Sequence, residues 1–196
     1  MPNYCNNQIR FSVNKPEHRH ILDELEQEIK TKNEFLNVLR PMPEGYAENG
    51  KWYDWNCENW GTKWDMVGGG GELHMVRYPS PNDLYIDGSS AWSPPEAALL
   101  YYHLKHPEVT INILYFEGGM CFAGHTQFKN GEEKEIRLIQ NTNDETRDKW
   151  KDDKSDFGEW FYMNMECLWE QQEEEEGVPD DPIIPESSNV GGLDKE

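Results

Sequence analysis

The sequence is poor in basic residues and in apolar ones. It contains 18 lysine and arginine residues against 38 aspartate and glutamate residues, which gives a net charge of −20 at pH 7. Such a chain repels nucleic-acid phosphates and anionic membranes and attracts basic partners. Hydrophobic residues make up 36% of the chain, and no apolar run has the eighteen or so residues that a membrane span needs. We therefore expect a soluble protein that binds neither nucleic acid nor a membrane.

Paired cysteines are also absent. The four cysteines stand singly, with no C-x-x-C motif among them: Cys5, Cys57, Cys121 and Cys167. This spacing favours neither a zinc site nor a disulfide framework, and we expect no secretory leader before them. We expect buried or half-buried free thiols in a reducing cytoplasm, with no cofactor. Among the histidines, His103 and His106 are expected at the surface near a helix end.

The acidic excess is concentrated toward the C-terminus. Residues 141–196 carry 18 acidic and five basic side chains, whereas residues 1–140 carry 20 and 13. The length suits one domain with appendages. We predict a domain over 1–140, a charged and aromatic extension over 141–172, and a disordered acidic tail over 173–196. Periodicity within 157–172 fits both a helix and a strand, and its composition favours the helix.

Tryptophan, in contrast, is abundant, and four tryptophans fall in the stretch Trp52–Asp65 (WYDWNCENWGTKWD). Burial of one indole stabilises a fold by roughly 2–3 kcal/mol, so we expect the core to form around this stretch. Trp52 and Trp55 follow a helical spacing, and Gly61 can adopt the left-handed backbone that ends a helix. The pattern predicts a short helix, a glycine stop and a strand over 62–66.

Periodicity predicts the remaining elements. Five further strands are expected, over 4–13, 83–92, 109–116, 120–129 and 134–140, with a bulge near Gly88. Helices are expected over 16–32 and 94–105, and the glycines 68–71 form a flexible connector. The order predicts an α+β fold, a ferredoxin-like split β-α-β antiparallel sheet with helices on one face and an added hairpin.

Two helix faces are also predicted. In the second helix, Ser93 and Glu96 have the spacing of a capping box, and the expected buried residues are Ala97, Leu100, Tyr101 and Leu104. The outward face of the first helix carries Asp23, Glu24, Glu26 and Glu28. Such a face is usually solvated and sometimes forms an interface.

Six short blocks carry a family resemblance: MPNYCNN at 1–7, LRPMPE at 39–44, NWGTKWD at 59–65, AWSPP at 91–95, EGG at 117–119 and FAG at 122–124. Together they resemble the YubB-type family, whose members occur in phages and conjugative plasmids and share a ferredoxin-like domain. The resemblance covers about residues 1–131, and the four-glycine insert and the acidic tail depart from it. It implies a mobile-element accessory protein in a bacterial host and no enzymatic activity.

The candidate binding residues are five residues of the tryptophan-rich stretch together with one later tryptophan: Trp52, Asp54, Glu58, Lys63, Asp65 and Trp92. Our first hypothesis is a non-enzymatic accessory protein that binds a basic host protein and inhibits a nucleic-acid-handling or defence enzyme by imitating the charge of DNA. One alternative is a module that binds a small ligand or nucleotide between the stretch and Trp92. Another is a metal-dependent hydrolase that uses Asp54, Glu58 and Asp65 with His74 or His125. No catalytic residue is assigned.

Overall fold

The fold is taken from a computed structural model, which describes residues 3–66, 73–77, 80–117, 119–120 and 122–140. All of them belong to the first of two units into which the chain divides, Met1–Phe161. The predictions for 141–172, for the tail 173–196, for the glycines 68–71 and for Cys121 and Cys167 lie outside the described residues.

A six-stranded antiparallel sheet is the framework of the fold. Its strands are β1 (Tyr4–Val13), β2 (His74–Val76), β3 (Asp83–Ala91), β4 (Val109–Glu117), β5 (Phe122–Lys129) and β6 (Glu132–Gln140). They are ordered β2-β3-β1-β4-β5-β6, and each neighbouring pair is antiparallel. β1 therefore lies between β3 and β4, two strands that come much later in the chain. β5 then pairs with β4, and β6 pairs with β5.

The two faces of β1 differ, as its alternating sequence predicts. Ile9, Phe11 and Val13 are buried, whereas Arg10 and Ser12 on the other face are half-buried. Successive side chains of a strand point to opposite faces, so alternation places one apolar row against the core. The predicted first strand is confirmed from end to end.

Four α-helices occur in the described residues: α1 (Arg19–Lys32, after a 3-10 turn at Pro16–His18), α2 (Leu36–Leu39), α3 (Trp52–Asn59) and α4 (Glu96–Lys105). The apolar stripe of α1 belongs to the same buried cluster as the core row of β1 and Leu99 of α4. α1 ends at Asn33, whose φ of 55° is the left-handed conformation that commonly ends helices. In the described ranges no helix is long and apolar enough to cross a membrane.

The tryptophan-rich stretch lies at the edge of the core rather than at its centre. Only Trp60 of its four tryptophans is buried, at 3% exposure. The helix and the left-handed Gly61 (φ 83°) are confirmed. The predicted strand over 62–66 is wrong, because Thr62 meets the end of β3 with its side chain: its hydroxyl bonds both the N–H and the C=O of Ala91 at 2.9 Å. The strand that pairs with the outer edge of β3 is β2, which was not predicted.

The predicted capping box of α4 is also wrong. The Ser93 hydroxyl donates to the Gly61 carbonyl at 2.5 Å, and the Glu96 carboxylate accepts a hydrogen bond from the Thr126 hydroxyl at 2.6 Å. Both side chains are therefore used in tertiary contacts, and α4 begins after Pro95 with no side-chain cap. These two side chains have the spacing of a helix cap, but they form hydrogen bonds to distant parts of the chain instead.

The buried face of α4 is rotated from the predicted one. Ala98, Leu99 and Tyr102 are buried. Of the four predicted residues, Ala97, Leu100 and Tyr101 are half-buried and Leu104 is 58% exposed. His103, expected at the surface, is fully buried: Nδ1 donates to the Val109 carbonyl at 2.8 Å, and Nε2 accepts from the Gly131 N–H at 2.9 Å. These bonds, one to the start of β4 and one to the turn between β5 and β6, set the rotation of the helix.

Two smaller predictions are corrected as well. Gly88 pairs with Asn7 in an unbroken register, so β3 has no bulge there. A Cβ at this position would lie 2.8 Å from the Met66 methyl carbon, so the glycine makes room for packing. Cys5 is buried as expected, but Cys57 is exposed because it lies on the outer face of α3.

Candidate functional site

The ammonium group of Lys63 lies among three aromatic rings. Its Nζ is 5.2 Å from the ring centroid of Trp92, 5.4 Å from that of Trp64 and 5.7 Å from that of Tyr53. A cation within about 6 Å of a ring centroid is attracted by the negative face of the ring. We call Tyr53, Lys63, Trp64 and Trp92 the aromatic cage.

Thr62 and Ala91 hold the two halves of the aromatic cage together. Thr62 precedes Lys63 and Trp64 in the chain, and Ala91 precedes Trp92. The two bonds between the Thr62 hydroxyl and the Ala91 backbone, both 2.9 Å long, therefore fix the loop after α3 against the end of β3. Both residues are buried, so each bond is shielded from water.

The backbone of Trp92 adopts an unfavourable conformation. Its φ is 67°, in the left-handed region that bulky residues avoid at a cost of about 1–3 kcal/mol. The surrounding contacts enforce it: Trp92 N–H donates to the Asn3 carbonyl at 3.0 Å, and Ser93 N–H donates to the Ala91 carbonyl at 2.8 Å. The Ser90 hydroxyl also donates to the Ser93 carbonyl at 2.7 Å. The direction of the Trp92 ring is therefore set by the fold.

A buried polar network connects this turn to β1. The Asn7 amide, 2% exposed, donates to the Cys5 carbonyl and to the Ser90 hydroxyl, each at 2.9 Å. Burial, together with the nearby Glu117 carboxylate, raises the pKa of the Cys5 thiol, so that this cysteine stays protonated. Since the thiolate is the reactive form, Cys5 has a packing role and is not a nucleophile.

The outer face of α3 is acidic next to the aromatic cage. Asp54 follows Tyr53 in the chain, and Glu58 lies one turn further along the same face. Both carboxylates are exposed, and neither forms an ion pair with another residue that the structure describes. Tyr53, 40% exposed, belongs both to α3 and to the aromatic cage, so the acidic face and the cage adjoin.

The six predicted binding residues divide into four groups, of which Asp65 is the last. Lys63 and Trp92 meet in the aromatic cage, as above, and Asp54 and Glu58 flank it. Trp52 is half-buried and packs edge-on against Tyr53, with ring centroids 5.8 Å apart.

Asp65 has a structural role and does not belong to the aromatic cage. Its carboxylate accepts the backbone N–H groups of Phe35 and Asn37, each at 3.0 Å. These are N–H groups at the start of α2, where a helix has no internal acceptors and the helix dipole favours negative charge. Asp65 therefore caps α2.

Tyr53 and Trp64 complete the aromatic cage and were not among the predicted binding residues. Their signal in the sequence is an aromatic residue adjacent to Lys63 and another one on the preceding helix. That signal is weak, because it does not say which rings face one ammonium group. The Trp64 indole N–H is buried and has no hydrogen-bond partner in the described part of the chain.

The residues proposed for a metal-dependent hydrolase are dispersed. Asp65 caps α2, and His74 is exposed on β2. His125 lies on β5, where its Nε2 is 3.2 Å from the Asn112 side-chain oxygen, and burial lowers the pKa of His125 to about 4. Among the described residues, no group of three or more histidine, cysteine or acidic side chains could hold a metal ion.

The carboxylates of α1 differ from those of α3 because cations within the domain neutralise most of them. Arg77 pairs with Asp23 and Glu26, and Lys30 and Lys32 pair with Glu26 and Glu28. Hydrogen bonds from Lys30 and then Arg77 lower the pKa of Glu26. Of the four predicted outward carboxylates, only Glu24 has no ion pair within the described ranges.

Comparison with known proteins identifies no family. No family model and no curated protein matches the sequence. Among solved structures, the chain is similar to the protein api92 from Yersinia pseudotuberculosis, of the DUF1281 family, at 16% identity and a TM-score of 0.43. The match covers 55% of this chain and 39% of api92, so the chain spans less than half the length of that protein. A similarity this low carries no argument about function.

Proposed function

We propose that this chain is a non-enzymatic binding protein that engages a basic partner protein through the aromatic cage and the acidic face of α3. One observation carries the proposal: this surface already holds an ammonium group, that of Lys63, among three rings. Such rings attract lysine and arginine side chains of any origin, by about 0.5–2 kcal/mol each depending on desolvation. Asp54 and Glu58 add negative charge beside them.

The distribution of charge supports the same surface. A net charge of −20 steers basic proteins toward the chain over long distances. Short-range recognition needs carboxylates that are not already neutralised, and three of the four α1 carboxylates are paired within the domain. Asp54 and Glu58 are exposed, which leaves them available to a partner.

The concrete form of this proposal is a phage or plasmid protein that inhibits a host enzyme acting on nucleic acids. Enzymes of that class carry basic surfaces that neutralise phosphates. An acidic protein that covers such a surface competes with the nucleic acid. The resemblance to the YubB-type family supports the mobile-element origin.

We also propose that strands β1 to β4 with α1 and α4 form a ferredoxin-like core to which the β5–β6 hairpin is added. The order β2-β3-β1-β4, with antiparallel neighbours, supports this description. In such a core each helix connects two strands that flank a third, which agrees with α4 leading from β3 to β4 on either side of β1.

A paired-variant experiment tests the proposal. The full chain is immobilised, exposed to a bacterial lysate and eluted with increasing salt, and the captured proteins are identified. The variant Asp54→Asn/Glu58→Gln is compared with an α1 variant, Glu17→Gln/Asp23→Asn, which removes the same formal charge from exposed carboxylates at and just before the start of α1. We expect capture of a basic, nucleic-acid-acting protein to weaken in the α3 variant and to persist in the α1 variant. Equal capture by both variants would contradict the assignment to α3.

A second candidate is a small-ligand or nucleotide site at the aromatic cage, favoured by the proximity of one cation to two indole faces. A base could stack on Trp92 while Lys63 pairs with a phosphate. Titration with a nucleotide panel, followed by intrinsic tryptophan fluorescence, tests it. A flat response across the panel would remove this candidate and leave the first proposal in place.

A further inference from the structure

A groove of about 210 Å³ separates α1 from α4. Its floor is apolar and is formed by Leu25 of α1 with Val38, Leu39 and Pro41, which lie in α2 and just after it. Small-molecule sites usually enclose about 300–1,000 Å³. The groove therefore suits one or two side chains of a peptide better than a drug-sized ligand.

Negative charge predominates on the side of the groove that α1 forms. Glu24 and Glu28 both line it, one helical turn apart. Glu24 has no ion pair among the described residues, and the pair between Glu28 and Lys32 is about half-exposed on each side. Exposed pairs of this kind contribute roughly 0–1 kcal/mol, so Glu28 is readily shared with a second cation.

The basic residues on the α4 side offset this charge only in part, because one ammonium group, that of Lys105, stands against the two carboxylates. Nζ of Lys105 lies over the ring of Tyr101, 4.5 Å from its centroid, and Tyr101 does not line the groove. The His106 ring packs on Tyr102 at a centroid distance of 4.5 Å, and burial lowers the pKa of His106, so the ring is neutral at pH 7. An apolar floor with an acidic rim complements a ligand that is apolar and cationic.

We propose that this groove binds a peptide segment of the partner in which aliphatic side chains alternate with lysine or arginine. The aliphatic side chain occupies the floor formed by Leu25, Val38 and Leu39, and the neighbouring cation pairs with Glu24 and Glu28. The inference rests on the proposed function, because it gives the same basic partner a second contact, apart from the aromatic cage. Grooves between helices commonly take apolar anchors in this way.

Titration of the isotopically labelled full chain with three blocked tetrapeptides, followed by amide chemical shifts in NMR spectra, tests the groove. The probes are acetyl-Leu-Lys-Leu-Lys-amide, its Ser-Lys analogue without apolar side chains, and its Leu-Glu analogue of opposite charge. We expect only the Leu-Lys peptide to shift the amides of Leu25, Val38 and Leu39. The Ser-Lys peptide is expected to shift only amides near the cage.

Two matched variants complete the experiment. Glu24→Gln is expected to weaken binding of the Leu-Lys peptide by about threefold to tenfold. Glu17→Gln, the same change at an exposed carboxylate just before α1, is expected to leave it unchanged. Unshifted groove amides, or equal affinity for both variants, would overturn the groove inference. Neither result would affect the proposed function, which the Asp54→Asn/Glu58→Gln comparison decides separately.

Discussion

Trp60 offers the sharpest test of how the tryptophan-rich stretch contributes to stability. Its ring is 3% exposed and packs edge-on against Trp55, with centroids 5.6 Å apart. Its indole N–H donates to the Arg40 carbonyl at 2.8 Å. Trp60→Ala removes this packing, leaves a cavity and deprives the Arg40 carbonyl of its hydrogen-bond donor. We expect the free energy of unfolding to fall by about 3–5 kcal/mol.

A series of substitutions separates the components of that loss. Trp60→Phe keeps a ring against Trp55 but removes the hydrogen bond, and we expect a loss of about 1–2 kcal/mol. Trp64→Ala removes a ring that is only half-buried and whose N–H has no partner in the described part of the chain, so we expect no more than about 1–2 kcal/mol. The order of the three losses is therefore predicted as well as their size.

Urea unfolding followed by far-ultraviolet circular dichroism is the appropriate assay, because removing a tryptophan alters fluorescence directly. With a slope of about 2 kcal/mol per M, the midpoint should fall by about 2 M for Trp60→Ala and by less than about 1 M for Trp64→Ala. If Trp64→Ala is the more damaging change, or Trp60→Ala leaves the midpoint in place, our reading of which indole is in the core is refuted.

Three further predictions concern the positioning of the site, the sheet and its packing. Thr62→Val keeps the shape of the side chain but removes both hydrogen bonds to Ala91. We expect the free energy of unfolding in urea to fall by about 2 kcal/mol and the tryptophan emission to shift as the aromatic cage loosens. Unchanged emission would argue against a role of these two bonds in holding the cage. Burial lowers the pKa of His125 from 6.5 to about 4, so the unfolded chain takes up a proton first, and the stability present above pH 6.5 is lost as the pH falls toward 4. This amounts to about 2 kcal/mol between pH 7.5 and 5, and the loss should shrink in His125→Gln; the same pH dependence in both proteins would contradict it. Gly124→Ala would place a Cβ 2.3 Å from the Tyr115 ring, so we expect a loss of about 1–3 kcal/mol in thermal unfolding that Tyr115→Leu partly restores, whereas no loss would mean that the ring moves aside freely.

Local chemistry of the sequence was enough to predict elements whose pattern is complete within a few residues. β1 follows from alternation, and α3 follows from the spacing of its tryptophans and from Gly61. The turn at Asn130 and Gly131 has positive φ at both residues, 56° and 80°, as the Asn-Gly dipeptide predicts. In these cases the determining forces act between residues that are neighbours in the chain.

Only the tertiary structure decided the features that depend on distant residues. The rotation of α4 follows from the hydrogen bonds of His103 to Val109 and Gly131. The Ser93 hydroxyl donates to the Gly61 carbonyl and does not cap the helix that follows it.

The aromatic cage also depends on distant residues. Trp92 lies beside Lys63 because β3 pairs with β1 and Thr62 bonds to Ala91. The sequence by itself determined the acidic character of the chain, its aromatic richness and its local elements. The arrangement of rings around one cation depends on contacts between residues far apart in sequence, whose pairing no local periodicity specifies.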